Sequence, residues 1–86
     1  MLKINRLKEI FDSKNVKNRV LAKFLSKSES TISLWRNNKR QPSIEELRVI
    51  AQLLRVDIRD LLHPTTWEND KSETYEEFTA KQKKEK

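Results

Sequence analysis

Apolar residues recur along this chain at helical rather than strand spacing, and the pattern thins after Pro64. Ile4, Leu7, Ile10 and Phe11 fall three or four apart, which predicts a first amphipathic helix over residues 3–14, ended at Asn15. Val20, Leu21, Phe24 and Leu25 repeat the pattern and predict a second helix over 18–25, with Ala22 small enough for close helix approach. Lys27 and Ser28 connect it to a third helix over 29–36, and Ser28 is a natural N-cap. Ile32 and Trp35, three apart, share the inward side of that helix. Asn37 and Asn38 end it, because asparagine tolerates the left-handed conformation. Ser43-Ile44-Glu45-Glu46 reads as a capping box just after Pro42, opening a fourth helix whose core stripe is Leu47, Ile50, Ala51 and Leu54. A short fifth helix, Ile58 to Leu62, ends ahead of Pro64. The fold class is all-α, a compact five-helix domain over residues 1–64.

Residues 65–86 form a polar tail. Within it, residues 72–84 place acids first (Glu73, Glu76, Glu77) and lysines last (Lys81, Lys83, Lys84), the order a helix dipole favours. Only Tyr75 and Phe78 supply an apolar stripe. The tail reads as one marginal helix or a disordered extension, with a dimerisation or docking element as the sharper alternative.

The outward side of the third helix is where the pattern speaks to function. With Ile32 and Trp35 turned inward, the helix presents Glu29, Ser30, Ser33 and Leu34. A helix this short is held by packing on one face. The small side chains on its other face suit entry into the DNA major groove.

Charge sharpens that reading. The net charge is +6, but residues 1–40 carry +8, while residues 41–64 and 65–86 carry −1 each. The cations gather around the third helix, the electrostatic footprint of a nucleic-acid binder. Composition excludes other classes. The chain has no cysteine, so no disulfide or thiolate metal site, and this fits a reducing cytoplasm. His63 is the single histidine and has no companion ligands at metal-binding spacing. The absence of glycine rules out phosphate loops and dinucleotide turns that need a bare backbone. Gln52 interrupts the longest apolar stretch, and no signal-peptide core is visible, so neither membrane spanning nor export is expected. No cofactor or small-molecule ligand is implied, and an enzyme has almost nothing to work with.

Asn18, Leu21, Ala22, Leu25, Ser26, Ser28, Ser30, Ile32, Ser33, Trp35, Arg36, Asn37, Asn38, Pro42 and Ser43 fall in one register. In that register the chain resembles the Xre family of phage-repressor and Cro-like helix-turn-helix domains, over about residues 4–62. The resemblance implies a helix-turn-helix at the second and third helices. Three glycines common in the family are replaced here, by Ser26, Asn38 and Arg55. Asn38 keeps the left-handed option cheaply, whereas Ser26 and Arg55 each cost about 1 kcal/mol where the backbone is left-handed. Arg36 stands where the family has glutamate and adds a cation beside the groove. Asn18 replaces a glutamine and is able to cap the second helix and to donate to a phosphate.

The roles follow by chemistry. Glu29, Ser30, Ser33 and Leu34 are the expected base readers. Glu29 can accept from cytosine N4 or simply offset the helix dipole. Leu34 meets a thymine methyl or a neighbouring element of the fold. Asn18, Ser28, Asn37, Lys39 and Arg40 are the expected backbone contacts, Lys39 and Arg40 having the plainer alternative of solvated turn residues. The function expected is sequence-specific binding of double-stranded DNA by a small bacterial or phage transcriptional regulator, a repressor before an activator. Its working form is a homodimer on a palindromic operator. The rival is an antitoxin-like or adaptor module, using Phe24, Leu34, Trp67, Tyr75 and Phe78 to bind a protein, with DNA contact secondary.

Overall fold

The computed structural model describes residues 3–84; residues 1–2 and 85–86, at the two ends of the expected segments, lie outside the described residues, as do the side chains of Lys83 and Lys84. Four α-helices, α1 (Leu7–Ser13), α2 (Asn18–Leu25), α3 (Glu29–Arg36) and α4 (Ile44–Leu54), are followed by a single 3₁₀ turn, Ile58–Leu61. A tail helix, α5 (Tyr75–Lys84), comes last. The architecture is all-α, with no strand among the described residues. Leu7 and Phe11 of α1, Leu21 and Ala22 of α2, Ile32 and Trp35 of α3, Leu47, Ile50 and Ala51 of α4, and Leu61 form one buried core.

α3 and α4 begin where their caps predict. Ser28 Oγ accepts the Thr31 N–H at 3.1 Å. At α4 the capping box is complete: Ser43 Oγ accepts the Glu46 N–H at 3.0 Å, and Glu46 Oε1 accepts the Ser43 N–H at 2.8 Å.

The first helix departs from its expected bounds. Residues 3–6 are not helical: Asn5 and Leu62 form an antiparallel bridge. The Arg6 N–H donates to the Leu61 carbonyl at 2.8 Å, and the His63 N–H to the Ile4 carbonyl at 2.9 Å. This pairing holds the segment extended and leaves Ile4 exposed rather than in the core. It also limits the last element. Leu62 is extended in the bridge, so the expected fifth helix is one 3₁₀ turn, capped by Asp57, whose Oδ1 accepts the Arg59 N–H at 2.8 Å. In α2 only half of the expected stripe is core. Leu21 is buried and Leu25 packs beside it, whereas Val20 and Phe24 face outward.

Helix ends explain how a chain without glycine makes these corners. Asn15, Ser26, Asn38 and Arg55 all have left-handed backbones, with φ between 55° and 58°. The conformation lets the residue beyond reach back to an orphan carbonyl: Val16 N–H to Phe11 at 2.8 Å, Lys27 N–H to Ala22 at 2.9 Å, Val56 N–H to Ala51 at 3.0 Å. Ser26 and Arg55 therefore carry the steric cost that glycine would avoid. Ser26→Gly and Arg55→Gly should each raise folding stability by about 1 kcal/mol, read as a later midpoint in chemical denaturation. A neutral or destabilising result at either site would show that the side chain there makes a compensating contact.

The tail is helical, but α5 begins at Tyr75 rather than residue 72. Ser72 is held in a turn on Asp70, and Thr74 Oγ1 accepts the Glu77 N–H at 3.2 Å, capping the helix later than the charge pattern predicts. Glu73 lies ahead of the helix and pairs with Lys81.

Candidate nucleic-acid interface

α3 is fixed from below and from both ends. Ile32 and Trp35 anchor its underside, and the helix packs chiefly on α2. Its upper side carries the expected readers: Glu29 and Ser30 are exposed, Ser33 and Leu34 half-buried. Ser28 caps the helix, and its Oγ lies 3.0 Å from the Ser30 hydroxyl and 2.9 Å from that of Thr31. At the other end Asn37 turns its Nδ2 onto the Ser33 carbonyl at 2.9 Å, with Ser33 Oγ at 3.4 Å. Asn37 thus spends its side-chain donor on closing the helix, and a direct bond to a phosphate requires the amide to turn away from Ser33. Lys39 and Arg40 donate their backbone N–H groups to the Leu34 carbonyl, at 2.9 and 3.2 Å, and leave their side chains exposed.

Arg36 is not the free cation its position suggests. Only 20% of its side chain is exposed, and the guanidinium pairs with Asp12, donates to Asn18 Oδ1 at 2.9 Å and lies 5.7 Å from the Phe11 ring centre. It ties α3 to α1 and to the start of α2. Lys8 and then Arg36 beside Asp12 hold that carboxyl below the usual aspartate value. The contact also changes the reading of Asn18. Lys17, not Asn18, is the N-cap residue of α2, so Asn18 caps nothing. Its Oδ1 is occupied by Arg36, which leaves the Nδ2 group as its outward donor, one that makes no hydrogen bond among the described residues.

Asn18 and Glu29 come together on the rim of one open depression of about 610 Å³, with Lys17, Arg19 and Arg36 in its lining. Lys17 and Arg19 are exposed and flank the free N–H groups at the start of α2, where an anion is favoured. The charge pattern alone does not single them out, although both adjoin Asn18.

The turn after α3 rests on a buried polar network that hydrophobic patterning does not reveal. Asn5 is only 1% exposed. Its Nδ2 donates to the Trp35 carbonyl at 2.9 Å and to Gln41 Oε1 at 2.7 Å, while its Oδ1 accepts the Leu7 N–H at 3.0 Å. Asn38 completes the lock: its Oδ1 accepts the N–H groups of Ile4 and Asn5, each at 2.9 Å, and its Nδ2 donates to the Asn5 carbonyl at 3.0 Å. Lys39 and Arg40 sit between Asn38 and Gln41, so the network positions them against the end of α3. On the other side, Lys27 of the α2–α3 turn pairs with Glu46 at 2.8 Å, tying the turn to the start of α4. Lys27 first, and then the Ser43 N–H, hold the Glu46 carboxyl below its ordinary value. The positions of α2, α3 and the 37–41 turn are thus mutually constrained.

No group of acids and histidine among the described residues is arranged to hold a metal, and no described helix is long and apolar enough to cross a membrane. Residues 7–61 match the family described as helix-turn-helix, HTH_3. No curated protein matches the chain. A solved structure, titled "a putative DNA-binding protein from Bacteroides fragilis", is 45% identical in sequence, with a TM-score of 0.68 over 72% of this chain and 100% of that one.

Proposed function

The chain belongs to the helix-turn-helix family HTH_3, and from that membership we propose that it is a sequence-specific, double-stranded DNA-binding protein, non-catalytic, that acts as a small bacterial or phage transcriptional regulator. In this reading α3 enters the major groove and Glu29, Ser30, Ser33 and Leu34 meet base edges. Asn18, Ser28, Asn37, Lys39 and Arg40 hold the sugar-phosphate backbone, joined by Lys17 and Arg19 at the start of α2. The working form is a homodimer on a palindromic operator in the cytoplasm, and repression by occlusion is the simplest output. The likeness to a Bacteroides fragilis protein titled as DNA-binding supports the assignment.

The observation that carries the reading is the rigid polar face of α3 set between two cationic anchors. Glu29 and Ser30 stand exposed, with Lys17 and Arg19 on one side and Lys39 and Arg40 on the other. None of these four cations takes part in an ion pair within 4 Å among the described residues, so their charge is available to phosphates. Salt titration of binding to random duplex DNA tests this. Log K should fall linearly with log salt. Lys39→Ala or Arg40→Ala should make the slope shallower by about 0.9 for each phosphate no longer neutralised, while weakening all sequences alike. Binding that is insensitive to salt would remove the DNA reading and favour the adaptor alternative. A substitution that shifts sequence preference and leaves the slope unchanged would make that residue a base reader.

A further inference from the structure

Among the described residues two apolar faces stand unpartnered, one with a basic rim and one with an acidic approach. One lies between α2 and α4. Phe24 is 58% exposed and borders a groove with Val49, Gln52, Leu53 and Arg55. Val20, one turn before Phe24, extends the apolar strip, and Val49 and Leu53 are themselves exposed. Lys23, Arg48 and Arg55 stand exposed around it; Glu45 is the exposed acid nearby, and Lys27 and Glu46 neutralise each other. The rim is net positive. The other face is α5, where Tyr75 is 82% and Phe78 50% exposed, one turn apart. Lys81 and Glu73 neutralise each other. The approach to and first turn of the helix, residues 65–78, thus keep Glu68, Asp70, Glu76 and Glu77 against Lys71, a net −3. The remaining lysines, Lys83 and Lys84, lie at the far end of the helix from Tyr75.

We propose that α5 of a second copy of this chain docks its Tyr75–Phe78 face into the Phe24–Val49–Leu53 groove, reciprocally, forming a dimer by exchange of tail helices. A ten-residue helix is marginal in water and needs a surface to pack on. It does not fill its own groove: no tail residue lines it, and Tyr75 and Phe78 stay exposed. Residues 65–74 are folded into turns at Trp67–Asp70 and Asp70–Ser72, with Asn69 left-handed, and the molecule extends 55 Å along one axis against 24 and 22 Å along the others. The helix is held out from the domain, and its acidic start matches the basic rim of a neighbour's groove. Exchange puts four tail aromatics into two grooves; at 82% and 50% exposure they have about 400–650 Å² left to bury, and the exposed groove side chains bring the total toward the range of a specific interface. The exchange deepens the dimer in the proposed function and rests on that reading only for its place on DNA.

The chain has no cysteine, which makes a direct test available. In the full-length double variant Gln52→Cys, Gln82→Cys, which keeps Phe24, Val49, Tyr75 and Phe78 and uses an exposed groove position and an exposed position one turn beyond Phe78, mild oxidation should give covalent dimers on a non-reducing gel. A cross-linked monomer would show that the tail folds back on its own groove, and the absence of any cross-link would show that it does not dock there; either overturns the proposal. Sedimentation without DNA supplies the second arm. Phe24→Asp and Phe78→Asp, both at exposed positions, should each weaken dimerisation at least about a hundredfold with unchanged helical circular dichroism. Mixing the two variants should give dimers tighter than either variant forms alone but weaker than the parent's, because each heterodimer keeps one of the two helix–groove contacts intact. Failure of the mixture to dimerise counts against exchange. A parent that is monomeric yet binds DNA sinks this inference alone, whereas a dimer without DNA affinity sinks the functional reading alone.

Discussion

Asn5→Ala should lower the folding stability of the domain by about 3–4 kcal/mol. The substitution leaves the Leu7 N–H, the Trp35 carbonyl and Gln41 Oε1 without the partner they have now, at 3.0, 2.9 and 2.7 Å. Each missing bond costs about 1 kcal/mol, and a buried group left unsatisfied costs about 1–3 kcal/mol. Domains of this size have only about 5–15 kcal/mol in all. Asn5→Asp, nearly the same shape, should fare no better: it keeps the acceptor for Leu7 but turns a carboxylate oxygen toward two other oxygens. The companion change is Asn38→Gly, which restores the residue common in the family and still permits φ of 58°. It should nonetheless destabilise, by about 2 kcal/mol, because glycine cannot accept the N–H groups of Ile4 and Asn5. The same substitution type thus has opposite signs at Ser26 and Asn38. Urea denaturation of the single variants measures this, and an Asn5→Ala protein within about 1 kcal/mol of the parent would mean water replaces the network.

That contrast marks the boundary of what the sequence makes legible. Local signals were sufficient for α2, α3 and α4. Ser28 and Ser43 cap the helices they precede, and Asn38 ends α3 in a left-handed turn, because each interaction spans only a few residues. The N-terminal segment misled because Ile4 falls at helical spacing from Leu7, while its conformation is set by Asn38 and Leu62, far along the chain. Nothing in periodicity distinguishes a half-buried stripe from a surface one, so Val20 and Phe24 read as core. Arg36 read as one more cation in a basic stretch. Its partner Asp12 is 24 residues away, and only the packing of α3 against α1 brings them together. Ser28, Glu29, Ser30, Asn37, Lys39 and Arg40 are exposed as their positions imply, whereas Asn18, Ser33 and Leu34 are half-buried, and the network that fixes them in space is non-local and polar.

The largest functional effect should come from the outward face of α3. No packing requirement sets the identity of Glu29 or Ser30, which are exposed, so substitutions there should leave stability nearly unchanged. Ser33 touches Asn37, and Leu34 is half-buried, so changes at those two positions carry a modest stability cost as well. If this face reads DNA, single substitutions should cost about 1–3 kcal/mol on the cognate site and much less on random sequence. Glu29→Gln should in addition raise non-specific affinity, by removing a negative charge from the rim it shares with Lys17, Asn18, Arg19 and Arg36. Leu34→Ala should act chiefly where the site presents a thymine methyl. Exchanging all four residues for a different polar set should move the preferred operator. Selection of bound sites from random duplexes, for parent and exchanged proteins, measures the outcome. Different profiles from two folded proteins make α3 the reader. Identical profiles would remove α3 as the reader and put the adaptor alternative ahead.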